Sequence, residues 1–304
     1  MKTVLITGSN GLLGQKLITI ARSFEILNLV ATSKGHNRYP FSEGYTYAEM
    51  DISDASAIEE IVSFYKPDII INTAAITNVD ICHVERVLCR EINVEAVRKL
   101  VAVCEQKQIH LIHLSTDFVF NGNDGPYAED ARPDPISYYG ESKFDAENLV
   151  KESPCMWTII RTVLVYGITE NMSRSNIVLW VKSSLENGTP IRVVNDQWRT
   201  PTLAEDLALG CLLAAEKGAQ GVYHISGKDM LSVFGIAERV ADFWGLDKSL
   251  IVPVSSQSLN QEAKRPLKTG FILDKAIREL GYSPRGLEEG LSLMDDQLKG
   301  LCIK

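Results

Sequence analysis

The sequence has no run approaching the ~18 consecutive apolar residues that cross a bilayer, so no membrane-spanning helix is expected. It has no block of basic residues either. Its 31 lysines and arginines are outnumbered by 39 acids, for a net charge of -8. That balance does not suit nucleic acid or an anionic membrane surface, both of which demand clustered cations. Any anionic ligand must then be held by a local device. There is no CxxC and no Cys/His cluster. The six cysteines, at 82, 89, 104, 155, 211 and 302, are scattered through 304 residues, a chain too long to depend on disulfide staples. A reduced, cytoplasmic protein is expected. The five histidines show no metal-ligand spacing: His110 and His113 alternate with apolar residues and His224 lies in another apolar run. They read as core or strand-edge residues, and no protein-built metal site is expected. The opening MKTVLITG lacks a small-residue cleavage site, and its short apolar run reads as a buried first strand rather than a signal peptide.

What is present is an ordinary globular composition, 45% hydrophobic and 23% charged. Short aliphatic runs alternate with helical patterns through the first half: TVLIT, GLLGQKLITIARSF, LNLVATS, then IIINTAA, VEAVRKLVAVCEQ, HLIHLST and WTIIRTVLVYG. Strands apolar on both faces and separated by helices predict an α/β fold, a doubly wound parallel sheet covered by helices on each side. After Gly167 the rhythm changes. A helix over Asn176–Glu186 stops at Asn187-Gly188, IRVV reads as a strand, and NDQWRTPT is irregular. LAEDLALGCLLAAEKG and GVYHIS then return to the first sheet. The expected organisation is a nucleotide-binding domain over 1–167 and about 202–228, with a smaller, discontinuous mixed α/β domain over about 168–201 and 229–304 that binds substrate.

TGSNGLLG places Gly8, Gly11 and Gly14 between a predicted strand and a predicted helix. This spacing turns the chain tightly, brings bare N–H groups to a pyrophosphate and aims the helix dipole at it. Asn10, Leu12 and Leu13 complete the expected cofactor-binding turn. An acid about twenty residues further on would bind a free ribose 2'-hydroxyl. Here the second strand ends ATSKGHNR, with Ser33, Lys34 and Arg38 and no acid. That loop suits a 2'-phosphate, so NADP (NADPH) is favoured, with NAD as the alternative. Two roles fit Asp51, beside Ile52: accepting from an adenine amino group, or capping the helix that begins between Ser53 and Ala57.

YYGESK puts Tyr139 and Lys143 four residues apart on a predicted helix, so both face the same way. A phenol is a poor acid–base group at neutral pH, and an adjacent ammonium is expected to lower its pKa. The strand-end STD, Ser115 to Asp117, supplies a hydroxyl and a carboxylate nearby in the predicted order.

TGSNGLLG, the DI at 51 and 52, NTAA at 72–75, the helix NVEAVRKLVAVC from Asn93, LSTD and YGESK together resemble the extended short-chain dehydrogenase/reductase family, with its Rossmann-type sheet. The resemblance implies that Thr116, Tyr139 and Lys143 are the catalytic hydroxyl, phenol and ammonium, the last two also meeting the cofactor. Thr73, Ala74 and Ala75 would line the cofactor, and Asn93 would support the site. Asn72 and Asn93 also fit a second reading, as buried amides tying loops together. Sugar-nucleotide 4,6-dehydratases carry Thr-Asp-Glu where this chain has Thr116, Asp117 and Phe118, and one carboxylate cannot serve both roles of that elimination.

The longer run STDFVFNGNDGPYAEDARPDPISYYGESKFDAE resembles the dTDP-4-dehydrorhamnose reductase branch, as do VVNDQWRTPT, GVYHISG and KRP at 264–266. That implies an NADPH-dependent reductase of a 4-keto-6-deoxy nucleotide sugar, a small-molecule partner, with a homodimer compatible. Where the branch reads RTSWVYG this chain has RTVLVYG, so Val163 and Leu164 replace a tryptophan face. Two alternatives stand. The regulatory beta subunit of methionine adenosyltransferase shares this pattern and serves as a partner; a nucleotide-sugar epimerase would hold its NAD permanently. For substrate, Asp117 fits either a sugar-hydroxyl contact or a loop anchor. Asn176, Arg199 and Arg265 are candidates for the diphosphate, each arginine equally a salt-bridge partner, and Trp198 is either a substitute aromatic face or packing.

Overall fold

A computed structural model describes residues 2–22, 24, 27–171, 175–259 and 261–300, so Cys302 lies outside the described residues. The chain runs through β1 (Lys2–Thr7), α1 (Leu12–Ala21), β2 (Leu27–Ser33), β3 (Thr46–Glu49), α2 (Ala55–Tyr65) and β4 (Ile69–Asn72). Short helices α3 (Val79–Val84) and α4 (Arg86–Arg90) lead through a wide turn at Glu91–Glu95 into α5 (Ala96–Lys107). Then come β5 (His110–Thr116), α6 (Tyr138–Lys151) and β6 (Trp157–Thr162). The second half contains β7 (Val165–Tyr166), α7 (Ile177–Glu186), β8 (Ile191–Val194), β9 (Trp198–Arg199), β10 (Thr202–Leu203), α8 (Ala204–Lys217) and β11 (Gly221–His224). It closes with β12 (Leu231–Ser232), α9 (Val233–Trp244), β13 (Ile251–Val254), β14 (Lys268–Thr269) and α10 (Leu287–Leu298).

Seven strands form one parallel sheet in the order β11-β6-β5-β4-β1-β2-β3. Apolar side chains on both faces of each strand explain why helices cover both sides. On one face Val4, Ile6, Ile112 and Leu114 pack against Leu17 and Ile18 of α1 and Leu207 and Cys211 of α8. On the other, Leu5, Ile70 and Leu111 pack against Ile58 of α2, Leu100 of α5 and Ala146 and Val150 of α6. The strand order reverses between β1 and β4. A crevice therefore opens at their carboxyl ends, the place where open α/β sheets bind ligands.

A separate apolar cluster joins α7, α9 and α10 to β8 and β13 through Val178, Val181, Val193, Ile236, Val240, Ile251 and Leu291. Its small sheets mix directions, β12 antiparallel and β14 parallel to β9. Residues 271–282, grouped with the smaller unit on sequence, pack Phe271, Leu273, Leu280 and Tyr282 into the apolar cluster of β1. Helix α2 is capped by Asp54, whose Oδ1 accepts from Ser56 N at 2.8 Å and Ala57 N at 3.3 Å. This corrects the alternative that Asp51 is the cap. Among the described residues no helix is long and apolar enough to cross a membrane, and no group of His, Cys, Asp or Glu is placed to hold a metal ion.

Candidate active site at the carboxyl edge of the sheet

The glycine turn at the end of β1 is built for close approach. Gly8 has φ +68°, and a Cβ there would lie 2.9 Å from Ala74. A Cβ on Gly14 would lie 2.5 Å from the Gly8 carbonyl, so only glycine lets α1 start against the turn. Ser9 is buried and, among the described residues, its hydroxyl has no hydrogen-bond partner. An unsatisfied buried hydroxyl just before the N-terminus of α1 fits a phosphate. Asn10 ties this turn to the loop after β2, with Nδ2 donating to His36 O at 2.9 Å and Oδ1 accepting from Arg38 N at 2.8 Å. The Thr73 hydroxyl donates to Thr7 O at 2.7 Å, setting Ala74 and Ala75 beside the turn.

Ser33 ends β2 and Lys34 follows it, exposed and paired with Asp51 at 2.8 Å, while Arg38 is fixed further along the loop through its backbone N–H. The Lys34 hydrogen bond outweighs partial burial and draws the Asp51 carboxyl down to about 2. Its Oδ1 accepts from Ser53 N at 2.9 Å, while Ile52 packs beneath.

At the end of β5, Thr116 Oγ1 donates to Asp117 Oδ1 at 3.1 Å and accepts from Phe118 N at 3.2 Å. Tyr139 stands beside it. Phe118 lies edge-on to Tyr139 at 5.6 Å, with the Arg199 guanidinium 5.8 Å from the Phe118 ring centre. This answers why an apolar residue follows Thr116 and Asp117: it walls the phenol. Asp117 is buried, accepts from the Thr269 hydroxyl and lies 3.6 Å from Arg199 Nε. Burial raises its pKa against these partners. These contacts tie the end of β5 to β14 and β9.

Tyr139 and Lys143 share the inner face of α6, and both are buried. The expectation that Lys143 depresses the phenol's pKa is overturned. Burial pushes Tyr139 up, only partly opposed by the Thr116 hydroxyl beside it. A neutral phenol is the form a proton donor needs. Burial lowers Lys143 to about 8, and its Nζ lies 3.2 Å from His113 Nε2. His113, read on sequence as a core residue, is fully buried but hydrogen-bonded at both nitrogens. Asn72 Nδ2 meets its Nδ1 at 3.1 Å, and the Thr7 hydroxyl donates to Asn72 Oδ1 at 2.6 Å. The readable signal was two periods together. His113 and Ser115 sit two apart on β5, facing Lys143 and Glu147 four apart on α6.

Asn93 lies in the wide turn before α5, accepting from Ile76 N at 2.8 Å and donating to Ile76 O at 3.0 Å and Ser142 Oγ at 3.1 Å. It thereby locks the loop after β4 to α6. Asn176 caps α7, its Oδ1 accepting from Leu179 N at 3.2 Å while Nδ2 donates to Gly167 O at 2.7 Å. Arg199 spends its N–H groups on the carbonyls of Trp198, Leu267 and Pro266, and Arg265 pairs with Asp80 at 2.6 Å. Trp198 is 42% exposed.

Comparison with known proteins places this geometry. A dTDP-4-keto-6-deoxy-D-glucose reductase of Streptomyces niveus is 31% identical over 282 residues, 92% of this chain and 91% of that one. A methionine adenosyltransferase 2 subunit beta of Danio rerio is 27% identical, covering 87% of this chain and 81% of its own. The crystal structure of a dTDP-4-dehydrorhamnose reductase from Bacillus anthracis in complex with NADP superposes with a TM-score of 0.82 at 29% identity, covering 97% of this chain and 99% of that one. The family described as the RmlD substrate binding domain matches residues 1–299, and with its seven-stranded parallel sheet and glycine turn the chain belongs to that family, within the extended short-chain dehydrogenase/reductases.

Proposed function

We propose that this chain is an NADPH-dependent reductase of a 4-keto-6-deoxy nucleotide sugar, acting at the C4 carbonyl. One observation carries the reading: a buried Tyr139, packed edge-on against Phe118 at the end of β5 and on the same helix face as Lys143, at the same sheet edge as the glycine turn. The turn around Gly8, Gly11 and Gly14, with the unpartnered Ser9 hydroxyl, holds the cofactor pyrophosphate, and Ser33, Lys34 and Arg38 favour NADP over NAD. When bound, the reduced nicotinamide supplies the hydride.

Tyr139 gives its proton to the oxygen of the carbonyl as that oxygen becomes an alkoxide. The Thr116 hydroxyl, held through its oxygen by the Phe118 N–H, turns its one hydrogen from Asp117 to the same oxygen. Lys143 bonds the nicotinamide ribose and supplies positive charge beneath the phenol as it loses its proton. Each contact strengthens as charge develops, which is the condition for lowering the barrier. The smaller unit, over about 168–201 and 229–304, contacts the sugar nucleotide. Arg265 serves its diphosphate from across the cleft, whereas Arg199, held by three carbonyls, shapes the Pro266–Leu267 segment.

The resemblance to the adenosyltransferase beta subunit favours a second reading, a nucleotide-binding regulatory partner. Following NADPH absorbance with a dTDP-4-keto-6-deoxy sugar separates the two. Turnover by the wild type and a fall of about 10²–10⁴-fold in Tyr139→Phe support the reductase. Tight NADPH binding without any turnover supports the partner role and overturns the enzyme.

A further inference from the structure

Resting on that reductase reading, we propose that His113 is a positioning residue for Lys143, the last link of a buried chain Thr7–Asn72–His113–Lys143 that sets whether the amine carries its proton. All four side chains are buried, and the links measure 2.6, 3.1 and 3.2 Å. The chain starts at the strand end that feeds the glycine turn and finishes on the helix of Tyr139, so it joins the two halves of the site.

Donor counting gives the chain two settings. Thr7 Oγ1 accepts from Ala74 N at 3.4 Å and sends its hydrogen to Asn72 Oδ1. Asn72 Nδ2 then donates to Nδ1 of His113, which must be bare. A neutral imidazole with a bare Nδ1 carries its hydrogen on Nε2 and donates it to an uncharged Lys143 amine. An ammonium has donors only. A charged Lys143 therefore requires the opposite tautomer, with Nε2 accepting, Nδ1–H donating, and the Asn72 amide turned to present its oxygen. Gaining or losing one proton at Lys143 is thus tied to one tautomer shift, one amide rotation and a turn of the Thr7 hydroxyl, which then accepts from the rotated amide.

The imidazole remains neutral in both settings. Burial, reinforced by the charge of Lys143 and only opposed by Glu147, holds its pKa well below the ordinary histidine value. The other ionisable groups facing Lys143 are Glu147 on its own helix, Cys82 on α3 and Cys89 on α4. Glu147 is already occupied by Arg161 of β6 and Ser115 of β5. That leaves Nε2 of His113 as the acceptor that keeps the ammonium charged in a dry interior.

Two substitutions divide the two imidazole nitrogens. Asparagine reaches the position of Nδ1 and preserves the link to Asn72, while glutamine reaches the position of Nε2 and preserves the link to Lys143. In lysine-¹³C-labelled full-length protein, the Cε resonance of Lys143, assigned by its loss in Lys143→Met, reports ionisation without substrate. His113→Asn should lower the titration midpoint by about one pH unit, because the bond His113 accepts from the ammonium is stronger than the one it donates to the amine, and His113→Gln should return it close to wild type. The alkaline limb of kcat/KM should move with it. A purely structural role would lower the Tm of both variants and leave the midpoint in place. Equal midpoints in wild type, His113→Asn and His113→Gln overturn the proposal. Because the resonance is read without turnover, failure of carbonyl reduction would remove the reductase reading and leave this result standing.

Discussion

Arg161 grips Glu147 with two hydrogen bonds, Nε to Oε1 at 2.8 Å and Nη2 to Oε2 at 2.7 Å, with both side chains out of water. Ser115 Oγ donates to the same carboxylate at 2.7 Å and Lys151 Nζ at 2.9 Å. The cluster fastens α6 to β5 and β6 one turn from Lys143. Burial alone would raise the Glu147 pKa, but Arg161, Lys151 and Ser115 prevail and hold it at about 2. A folded value below the unfolded one stabilises the fold above the ordinary carboxyl pKa of about 4.3, and the contribution fades as pH falls from there towards the folded value. Arg161→Met strands a buried carboxylate and should cost about 3–5 kcal/mol at neutral pH, read by urea unfolding. The cost should shrink on acidification through that window. A constant difference across it would deny the pair this role.

Thr116 is tested separately from Tyr139. Thr116→Val keeps the shape and removes the hydroxyl that binds Asp117 and Phe118 N beside the phenol. Losing one donor to a developing oxyanion should lower kcat by about 10²-fold with KM little changed, while Thr116→Ser should recover most of the activity. A rise in KM at constant kcat would move Thr116 from the chemistry to ground-state binding.

The elements of this chain were legible because each rests on a local pattern. IIIN is buried at every position as a two-sided strand must be, Asn187-Gly188 ends α7, and Gly218 closes α8 in the left-handed region with φ +58°. The glycine turn and the Tyr139–Lys143 face of α6 follow from spacing alone. Depth does not. Spacing puts a phenol and an amine on one face, but only packing shows that both are buried, which reverses the expected direction of the phenol's pKa. Partners from other strands were equally hidden. The Arg161–Glu147 grip and the His113–Lys143 link each need β5 or β6 in register with α6. The entry of Phe271, Leu273, Leu280 and Tyr282 into the cluster of β1 was hidden as well, because an apolar pattern does not say which core it enters.

On the proposed reading, cofactor choice turns on Lys34. Its Nζ is 2.8 Å from Asp51 Oδ2 and the side chain is 81% exposed, so the ion pair adds little to stability. The pair holds the ammonium at the end of β2, where a 2'-phosphate would meet it. Lys34→Ala should raise the Kd for NADPH by roughly 3–10-fold, leave NADH within about twofold, and leave the unfolding midpoint in place. Fluorescence titration of both cofactors gives the ratio. Equal weakening of the two would show that Lys34 does not read the phosphate.

The turn itself makes a graded prediction. A Cβ on Gly14 would stand 2.5 Å from both Gly8 O and Ser9 Cα, backbone atoms that cannot swing aside, whereas one on Gly11 would stand 3.3 Å from Gly8 O. Gly14→Ala must therefore push α1 away from the turn, spoiling the close approach of helix N–H groups to a pyrophosphate. It should cost about 1–3 kcal/mol of stability and weaken both NADPH and NADH, since the pyrophosphate is common to them. Gly11→Ala needs a shift of only a few tenths of an ångström. Its stability should fall less, so that any loss of cofactor affinity there reflects the ligand's approach rather than the fold. Calorimetric titration of both variants against wild type checks the order; equal affinity for cofactor in Gly14→Ala and wild type would place the pyrophosphate away from this turn.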